Sequence, residues 1–98
     1  MMEIRQTEVF ARWINGLRDD RARTRIEARI YRLSLGNPGD VKPIGDRISE
    51  LRIDYGPGYR VYFVKHGRVI VILLCGGDKR SQKRDIATAK TLAKELKE

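Results

Sequence analysis

The stretch from Leu51 to Asp85 constrains the fold most, because it holds the longest apolar run of the chain and two turn signals. One signal is Gly56-Pro57-Gly58 and the other is His66-Gly67, and alternating apolar and polar residues flank the first. Alternation around a short glycine turn is typical of a β-hairpin. The stretch therefore predicts two consecutive hairpins, followed by a polar glycine loop that opens a helix.

The first hairpin has an expected pairing. If Gly56-Pro57-Gly58 is a three-residue loop, Arg52 lies opposite Tyr62 and Asp54 lies opposite Arg60. Because side chains alternate between the faces of a strand, one face is apolar and the other carries the cations. The apolar face, expected to pack on helices, consists of Leu51, Ile53, Val61 and Phe63. The other face holds Arg52, Asp54, Arg60 and Tyr62.

The second hairpin ends in a strand predicted from Arg68 to Cys75, which is apolar on both faces. Such a strand lies inside a sheet that is covered on both sides. A two-residue turn at His66-Gly67 would place Val71 opposite Tyr62 and Leu73 opposite Arg60. A C-terminal helix from Ser81 to about Lys97 is predicted to supply the second cover.

The N-terminal half predicts the first cover. Residues 3–7 form a short strand candidate, and helical spacing of apolar residues over 8–18 indicates an amphipathic helix. Asp19 and Asp20 can cap a second helix that runs to about Leu35. Residues 36–47 contain most of the remaining glycines and prolines and are predicted to be a surface loop. The expected fold is one α+β domain over residues 1–98, with a helix hairpin packed on a mainly antiparallel sheet and a C-terminal helix.

The chain carries a net charge of +8, and the excess is spread along its whole length. A basic folded domain favours a polyanionic partner, either nucleic acid or a very acidic protein, although solubility alone is the simpler explanation. The second helix adds an arginine stripe that consists of Arg21, Arg25, Arg29 and Arg32. Arg25 and Arg29 are candidate contacts to an RNA phosphate backbone, and a solvated helix face is the alternative.

Several kinds of chemistry lack the residues they need. The one histidine, His66, lies at a hairpin tip, and the one cysteine, Cys75, has no companion for a disulfide or a metal site. No metal and no cofactor is therefore expected. The apolar run from Val69 to Cys75 is too short to span a bilayer, and no signal peptide is apparent, so the expected location is the cytoplasm.

Phosphate chemistry remains, because Arg52, Arg60, Lys79 and Arg80 can converge where the hairpin meets the glycine loop. Such cations can hold an RNA phosphodiester and stabilise the charge that develops when a neighbouring 2′-hydroxyl attacks it. In this hypothesis Arg60 clamps the scissile phosphate, Lys79 supports it or transfers a proton, and Arg52 contributes charge and position. Arg80 and Tyr62 are further candidate RNA contacts. The alternative is a structural Asp54–Arg60 pair with solvated lysines.

Three segments resemble a known family. The segments SELRIDYGPGYRVYF, ILLCGGDKRSQKRDIATAK and GNPGDVKPIG are similar to the HigB-like addiction module killer branch of the RelE/ParE toxin superfamily. The resemblance implies a toxin that a cognate antitoxin, commonly a helix-turn-helix DNA-binding protein, holds inactive. It also implies cleavage of mRNA on the ribosome.

The resemblance also implies roles for single residues. Arg60 matches the strand arginine that contacts the scissile phosphate in ribosome-dependent members, and Lys79-Arg80 matches the position of another phosphate-binding cation. Members of the superfamily use a tyrosine, histidines or acidic residues near the C-terminus for proton transfer, whereas this chain has no Tyr or His after His66.

The leading hypothesis is therefore a ribosome-dependent mRNA endoribonuclease. The alternatives are a toxin that inhibits a protein target such as DNA gyrase, as in the ParE branch, and a degenerate toxin that only binds its antitoxin as a corepressor.

Overall fold

The fold is α+β, as predicted. A computed structural model describes residues 1–96, so Lys97, the predicted end of the C-terminal helix, lies outside the described residues. The elements in chain order are β1 (Glu3–Gln6), α1 (Glu8–Asn15), α2 (Asp20–Ser34), β2 (Val41–Gly45), β3 (Ile48–Ile53), β4 (Tyr59–His66), β5 (Ile70–Asp78), a 3₁₀ turn (Lys79–Ser81) and α3 (Gln82–Glu95).

One five-stranded sheet organises the domain, in the order β1-β5-β4-β3-β2. The strand β1 runs parallel to β5, and the other neighbours are antiparallel. The helix hairpin α1–α2 follows β1, and short polar side chains begin both helices. The hydroxyl of Thr7 accepts a hydrogen bond from the Phe10 N–H, and the carboxylate of Asp19 accepts from the N–H groups of Arg21 and Ala22.

The predicted surface loop over residues 36–47 is wrong in part, because it contains strand β2. Val41 and Ile44 are partly buried and give this segment an inward side. Pro43 is compatible with a strand here because β2 is the outermost strand, where one edge needs no hydrogen-bond donors.

The expected pairing of the first hairpin is also wrong, by two residues. Ile53 lies opposite Tyr59, and Arg52 lies opposite Arg60 and not opposite Tyr62. The loop is longer than three residues, because β3 ends at Ile53 and a turn over residues 55–58 completes the reversal. A shift of two residues keeps the paired side chains on their faces, so the division into an apolar face and a cationic face is confirmed for the strand residues. Asp54 is the exception, because it follows the end of β3 and lines a cavity with arginines of α2.

The second hairpin departs further from its prediction. His66 pairs with Ile70, so three residues form the turn, and a bulge interrupts the register between Tyr62 and Phe63. Tyr62 consequently lies opposite Cys75, and Arg60 lies opposite Gly77. The predicted partners, Val71 and Leu73, are paired with Lys65 and Phe63 and lie on the other face.

Two apolar cores lie on the two sides of the sheet, as the doubly apolar strand predicts. The core between the sheet and the helix hairpin includes all four residues of the predicted packing face, Leu51, Ile53, Val61 and Phe63. The core between the sheet and α3 is smaller and is built on Ile48, Tyr62, Leu74, Cys75 and Ala89. The cationic strand face therefore lies under or beside α3.

Candidate phosphate-binding site

Arg52 and Arg60 lie directly opposite each other on β3 and β4, on the face that α3 covers. Arg60 is only 7% exposed, whereas the side chain of Arg52 is 38% exposed. Two like charges in this arrangement repel. The pair therefore needs a counter-charge, and the next residue on the same face of β3 supplies one.

Glu50 is that counter-charge, and it is buried with 1% exposure. One carboxylate oxygen lies 3.9 Å from Nε of Arg52, and the other lies 3.9 Å from Nε of Arg60. Asp40 approaches Arg52 from the surface at the same distance of 3.9 Å. Among residues 1–96, Glu50 is the only carboxylate that forms a salt bridge with Arg60.

Two neutral side chains hold Glu50 in place. The hydroxyl of Tyr62 donates a hydrogen bond of 2.9 Å to a carboxylate oxygen, and the amide of Gln82 at the start of α3 donates one of 2.8 Å to the same oxygen. Burial, followed by the hydrogen bond to Glu50, raises the pKa of Tyr62, so its hydroxyl stays protonated. Tyr62, one of the predicted RNA contacts, is fully buried, and its hydroxyl contacts Glu50.

The two arginines retain unused donors. In the part of the chain that the structure describes, the buried side-chain polar atoms without a hydrogen-bond partner are Nε of Arg52 and Nε of Arg60. A buried donor without a partner costs about 1–3 kcal/mol. Such groups are rare in native proteins, and a catalytic role or a bound ion or water is among the explanations for them.

Lys79 and Arg80 begin the 3₁₀ turn that follows β5, at the end of the sheet where Arg60 pairs with Gly77. Asp78 caps this turn by accepting hydrogen bonds from the N–H groups of Arg80 and Ser81. Both cations are exposed, and Lys79 lies beside Gly58 of the first hairpin loop. The structure thus brings Arg52 and Arg60 into one cluster and places Lys79 and Arg80 at the end of the neighbouring strand.

Arg25 and Arg29 lie elsewhere, on the helix hairpin across the sheet. Arg29 donates to the backbone carbonyls of Pro38, Asp40 and Arg52, at distances from 2.7 to 3.3 Å. It therefore ties the segment after α2 to β3. Burial, followed by repulsion from Arg32, lowers the pKa of Arg29. Arg25 lies over the ring of Tyr55 at 4.7 Å, a cation–π contact.

The predicted glycine loop after Cys75 is wrong in part, because Gly76 and Gly77 lie in β5, which extends to Asp78. Packing explains why these two positions are glycines. A Cβ on Gly76 would overlap the indole of Trp13, and a Cβ on Gly77 would overlap the carboxylate of Asp85. These positions therefore require glycine because other side chains occupy the space.

The thiol and the possible metal ligands of the described chain do not form a second reactive site. Cys75 is buried, and burial raises the pKa of its thiol to about 12, which keeps it protonated. In residues 1–96, no cluster of His, Cys, Asp or Glu could hold a metal ion, and no helix combines the length and apolarity of a bilayer span.

Two members of the cluster do not follow from the sequence reasoning. Glu50 precedes Arg52 by two residues, so strand alternation predicts that both side chains lie on the same face. The correct hairpin pairing then places Glu50 opposite Tyr62. Gln82 reaches the cluster through tertiary packing of α3, for which the sequence carries no local signal. The predicted Asp54–Arg60 pair does not form, because β3 ends at Ile53 and Glu50 is the carboxylate beside Arg60.

Known proteins match this chain over almost its whole length. An uncharacterized protein of Haemophilus influenzae is 53% identical over 95 residues, which span 97% of this chain and 96% of that protein. A family model, phage-derived protein Gp49-like (DUF891), matches residues 12–97. That family is associated with RelE-type toxins of toxin–antitoxin modules. By the extent of this match, the chain belongs to the Gp49-like family.

Proposed function

We propose that this protein is the toxin of a type II toxin–antitoxin module and cleaves mRNA on the ribosome, in the manner of HigB-like toxins. Membership of the Gp49-like family supports the toxin assignment and, with it, an antitoxin partner. The observation that carries the nuclease proposal is the Arg52–Arg60 pair, whose buried Nε donors share the Glu50 carboxylate at 3.9 Å and have no hydrogen-bond partner in the described part of the chain.

The proposed reaction is attack by a ribose 2′-hydroxyl on the adjacent phosphorus, with the proton of the hydroxyl passing to solvent water. The bond from phosphorus to the 5′-oxygen of the next nucleotide breaks, which leaves a 2′,3′-cyclic phosphate and a 5′-hydroxyl. Negative charge builds up on the phosphate oxygens in the transition state, and positioned cations stabilise it. A reaction of this kind needs no metal ion when cations surround the phosphate.

Three cations divide this task. Arg60, which is 7% exposed, clamps the scissile phosphate, and Arg52 positions the RNA from its more open location. Lys79, exposed at the end of β5, supports the phosphate or donates the proton that the leaving 5′-oxygen requires. Glu50 and Tyr62 act through the arginines, because they hold the two guanidiniums side by side.

The surroundings of the site suit a ribosomal substrate. A net charge of +8 favours association with rRNA as well as mRNA. The proposed partner that opposes this activity is the cognate antitoxin, a helix-turn-helix DNA-binding protein, and the proposed location is the cytoplasm.

The test is cleavage of mRNA on programmed ribosomes, with the new 3′ ends mapped. The parent protein is expected to produce discrete ends, and Arg60→Ala is expected to slow cleavage by about 10²- to 10³-fold, the usual cost of losing a charge-stabilising donor. Lys79→Ala should also slow it. Arg68→Ala is the matched control, because Arg68 is exposed in the turn at the far end of β4.

Three results would overturn the nuclease proposal. The first is the absence of new ends from a protein that is toxic on expression, which would point to a protein target such as DNA gyrase. The second is equal cleavage by Arg60→Ala and the parent. The third is the absence of both cleavage and toxicity with the antitoxin still bound, which would indicate a corepressor.

A further inference from the structure

A second site lies at the open edge of β5, beside the arginine pair. Strand β1 covers this edge only as far as the pairing of Gln6 with Leu73, and Thr7 adds a last hydrogen bond to the carbonyl of Leu74. Beyond Leu74 no strand of the described chain pairs with this edge of β5. A cleft of about 460 Å³ occupies the space, within the usual size range of small-ligand sites.

One wall of the cleft is the indole of Trp13, the only tryptophan of the chain. The ring lies against the backbone of Gly76, and it contacts the rings of Phe10 and Tyr59 at centroid distances of 5.7 and 6.3 Å. These contacts fix the orientation of the indole while part of it stays accessible. A fixed, accessible aromatic ring is the usual platform on which a nucleobase stacks.

The rim of the cleft carries two guanidiniums, those of Arg80 and Arg84. Their side chains are 87% and 80% exposed, and within residues 1–96 each makes one long contact to a carboxylate, 3.6 Å to Asp78 and 3.8 Å to Asp85. Most of their donors are therefore available to phosphate oxygens, whose geometry the guanidinium fork matches.

The two carboxylates at the floor have internal partners. Asp78 caps the 3₁₀ turn, and Asp85 accepts a hydrogen bond from the hydroxyl of Ser81. Their charges offset those of the two arginines, so the cleft has no strong net charge to attract a bare anion. A ligand with an aromatic ring and N–H donors, as well as a phosphate, fits this combination better than phosphate alone.

We propose that this cleft binds one nucleotide of single-stranded RNA, with its base stacked on Trp13 and its phosphate on Arg80 and Arg84. Gly77 forms part of the cleft wall and is the cross-strand partner of Arg60. Paired strands place these two backbones about 5 Å apart. The bound nucleotide is therefore a neighbour of the one whose phosphate is cut, an identification that rests on the proposed function.

The test uses the free protein and the fluorescence of its single tryptophan. Titration with the four ribonucleoside 5′-monophosphates is expected to quench Trp13 with saturation, and ribose 5-phosphate and inorganic phosphate are expected not to. Arg84→Gln should weaken nucleotide binding about threefold to fivefold, the range of one exposed ionic contact. Lys83→Gln is the matched control, because Lys83 is an exposed neighbour that does not line the cleft.

The outcomes separate the cleft from the nuclease site. Arg60→Ala should quench like the parent even if it no longer cleaves mRNA, so the two proposals can fail independently. Equal responses to ribose 5-phosphate and to nucleotides would overturn base stacking. Equal weakening by Arg84→Gln and Lys83→Gln would show that general charge binds the nucleotide, and this too would overturn the proposal. An indole N–H resonance that does not shift with nucleotide would do the same.

Discussion

Arginines on the two sides of the sheet differ in what their guanidiniums contact. On the helix-hairpin side, the guanidinium of Arg29 donates to three backbone carbonyls and joins the loop after α2 to β3. On the α3 side, Arg52 and Arg60 face each other, and their buried Nε atoms lie 3.9 Å from the Glu50 carboxylate with no hydrogen-bond partner among residues 1–96. All three residues are arginines, but hydrogen-bond acceptors surround Arg29, whereas Arg52 and Arg60 have few acceptors within reach.

This difference separates stabilising cations from binding cations. Carbonyl acceptors have no charge, so Arg29 contributes hydrogen bonds at the cost of its own desolvation. Arg52 and Arg60 share one carboxylate, that of Glu50, and their Nε donors have no hydrogen-bond partner among residues 1–96. We propose that the pair binds a phosphate. Stability should therefore depend on Arg29 and Glu50, whereas cleavage should depend on Arg52 and Arg60.

The largest expected effect on stability comes from Glu50→Gln. The amide keeps the shape of the side chain but removes the negative charge that offsets the repulsion between two guanidiniums, one of them buried. Breaking a buried ion pair on one side costs about 3–5 kcal/mol, and the partial exposure of Arg52 places this variant near 3. Urea unfolding measures the change. Glu27→Gln on the exposed side of α2 is the control, with about 0.5 kcal/mol or less, and an equal small loss in both variants would contradict the role of Glu50.

Arg29→Lys should have the next largest effect. An ammonium cannot reproduce a fork that reaches the carbonyls of Pro38 and Arg52 together, and the loss is expected to be about 1–3 kcal/mol in urea unfolding. Arg32→Lys, one turn further along the same stripe and exposed, should change stability by less than about 0.5 kcal/mol. Similar values for the two variants would show that the carbonyl contacts of Arg29 contribute little.

A smaller effect should appear at alkaline pH. Burial raises the pKa of Cys75 to about 12 in the folded state, above the ordinary thiol value, so the unfolded chain loses this proton first. The contribution is complete below about pH 8.5 and declines as pH rises toward 12, at no more than about 1.4 kcal/mol per pH unit. Unfolding of Cys75→Ala should show a shallower decline over this range than unfolding of the parent. Identical slopes, or rapid alkylation of the native thiol at pH 8, would contradict a closed α3 face.

Local patterns predict much of this fold. Alternation assigns Leu51 and Val61 to one face and Arg52 and Arg60 to the other, and a register error of two residues leaves that assignment intact. Turn length is harder to predict, because neighbouring strands and bulges decide where a hairpin reverses. Strand β2 is not predicted from the sequence for a related reason. An edge strand with a central proline shows little alternation of apolar and polar residues, and pairing with β3 stabilises it.

The site was less predictable than the fold. The sequence pattern places Arg52 and Arg60 on one face, yet the depth at which Arg60 lies depends on how α3 crosses the sheet. The contact of Gln82 with Glu50 arises in the same way, since the two residues are 32 positions apart. Helical periodicity on α2 identifies the arginine stripe, but it cannot show that Arg29 binds backbone carbonyls across a loop.

The most direct measurement makes the same change on both sides of the sheet. Arg60→Lys and Arg29→Lys are compared for unfolding free energy and for cleavage of mRNA on programmed ribosomes. We expect opposite results for the two variants: Arg60→Lys cleaves about tenfold or more slowly with a loss of stability below about 1 kcal/mol, whereas Arg29→Lys is less stable and cleaves like the parent when fully folded. Parallel losses in the two variants, or normal cleavage by Arg60→Lys, would contradict this expectation.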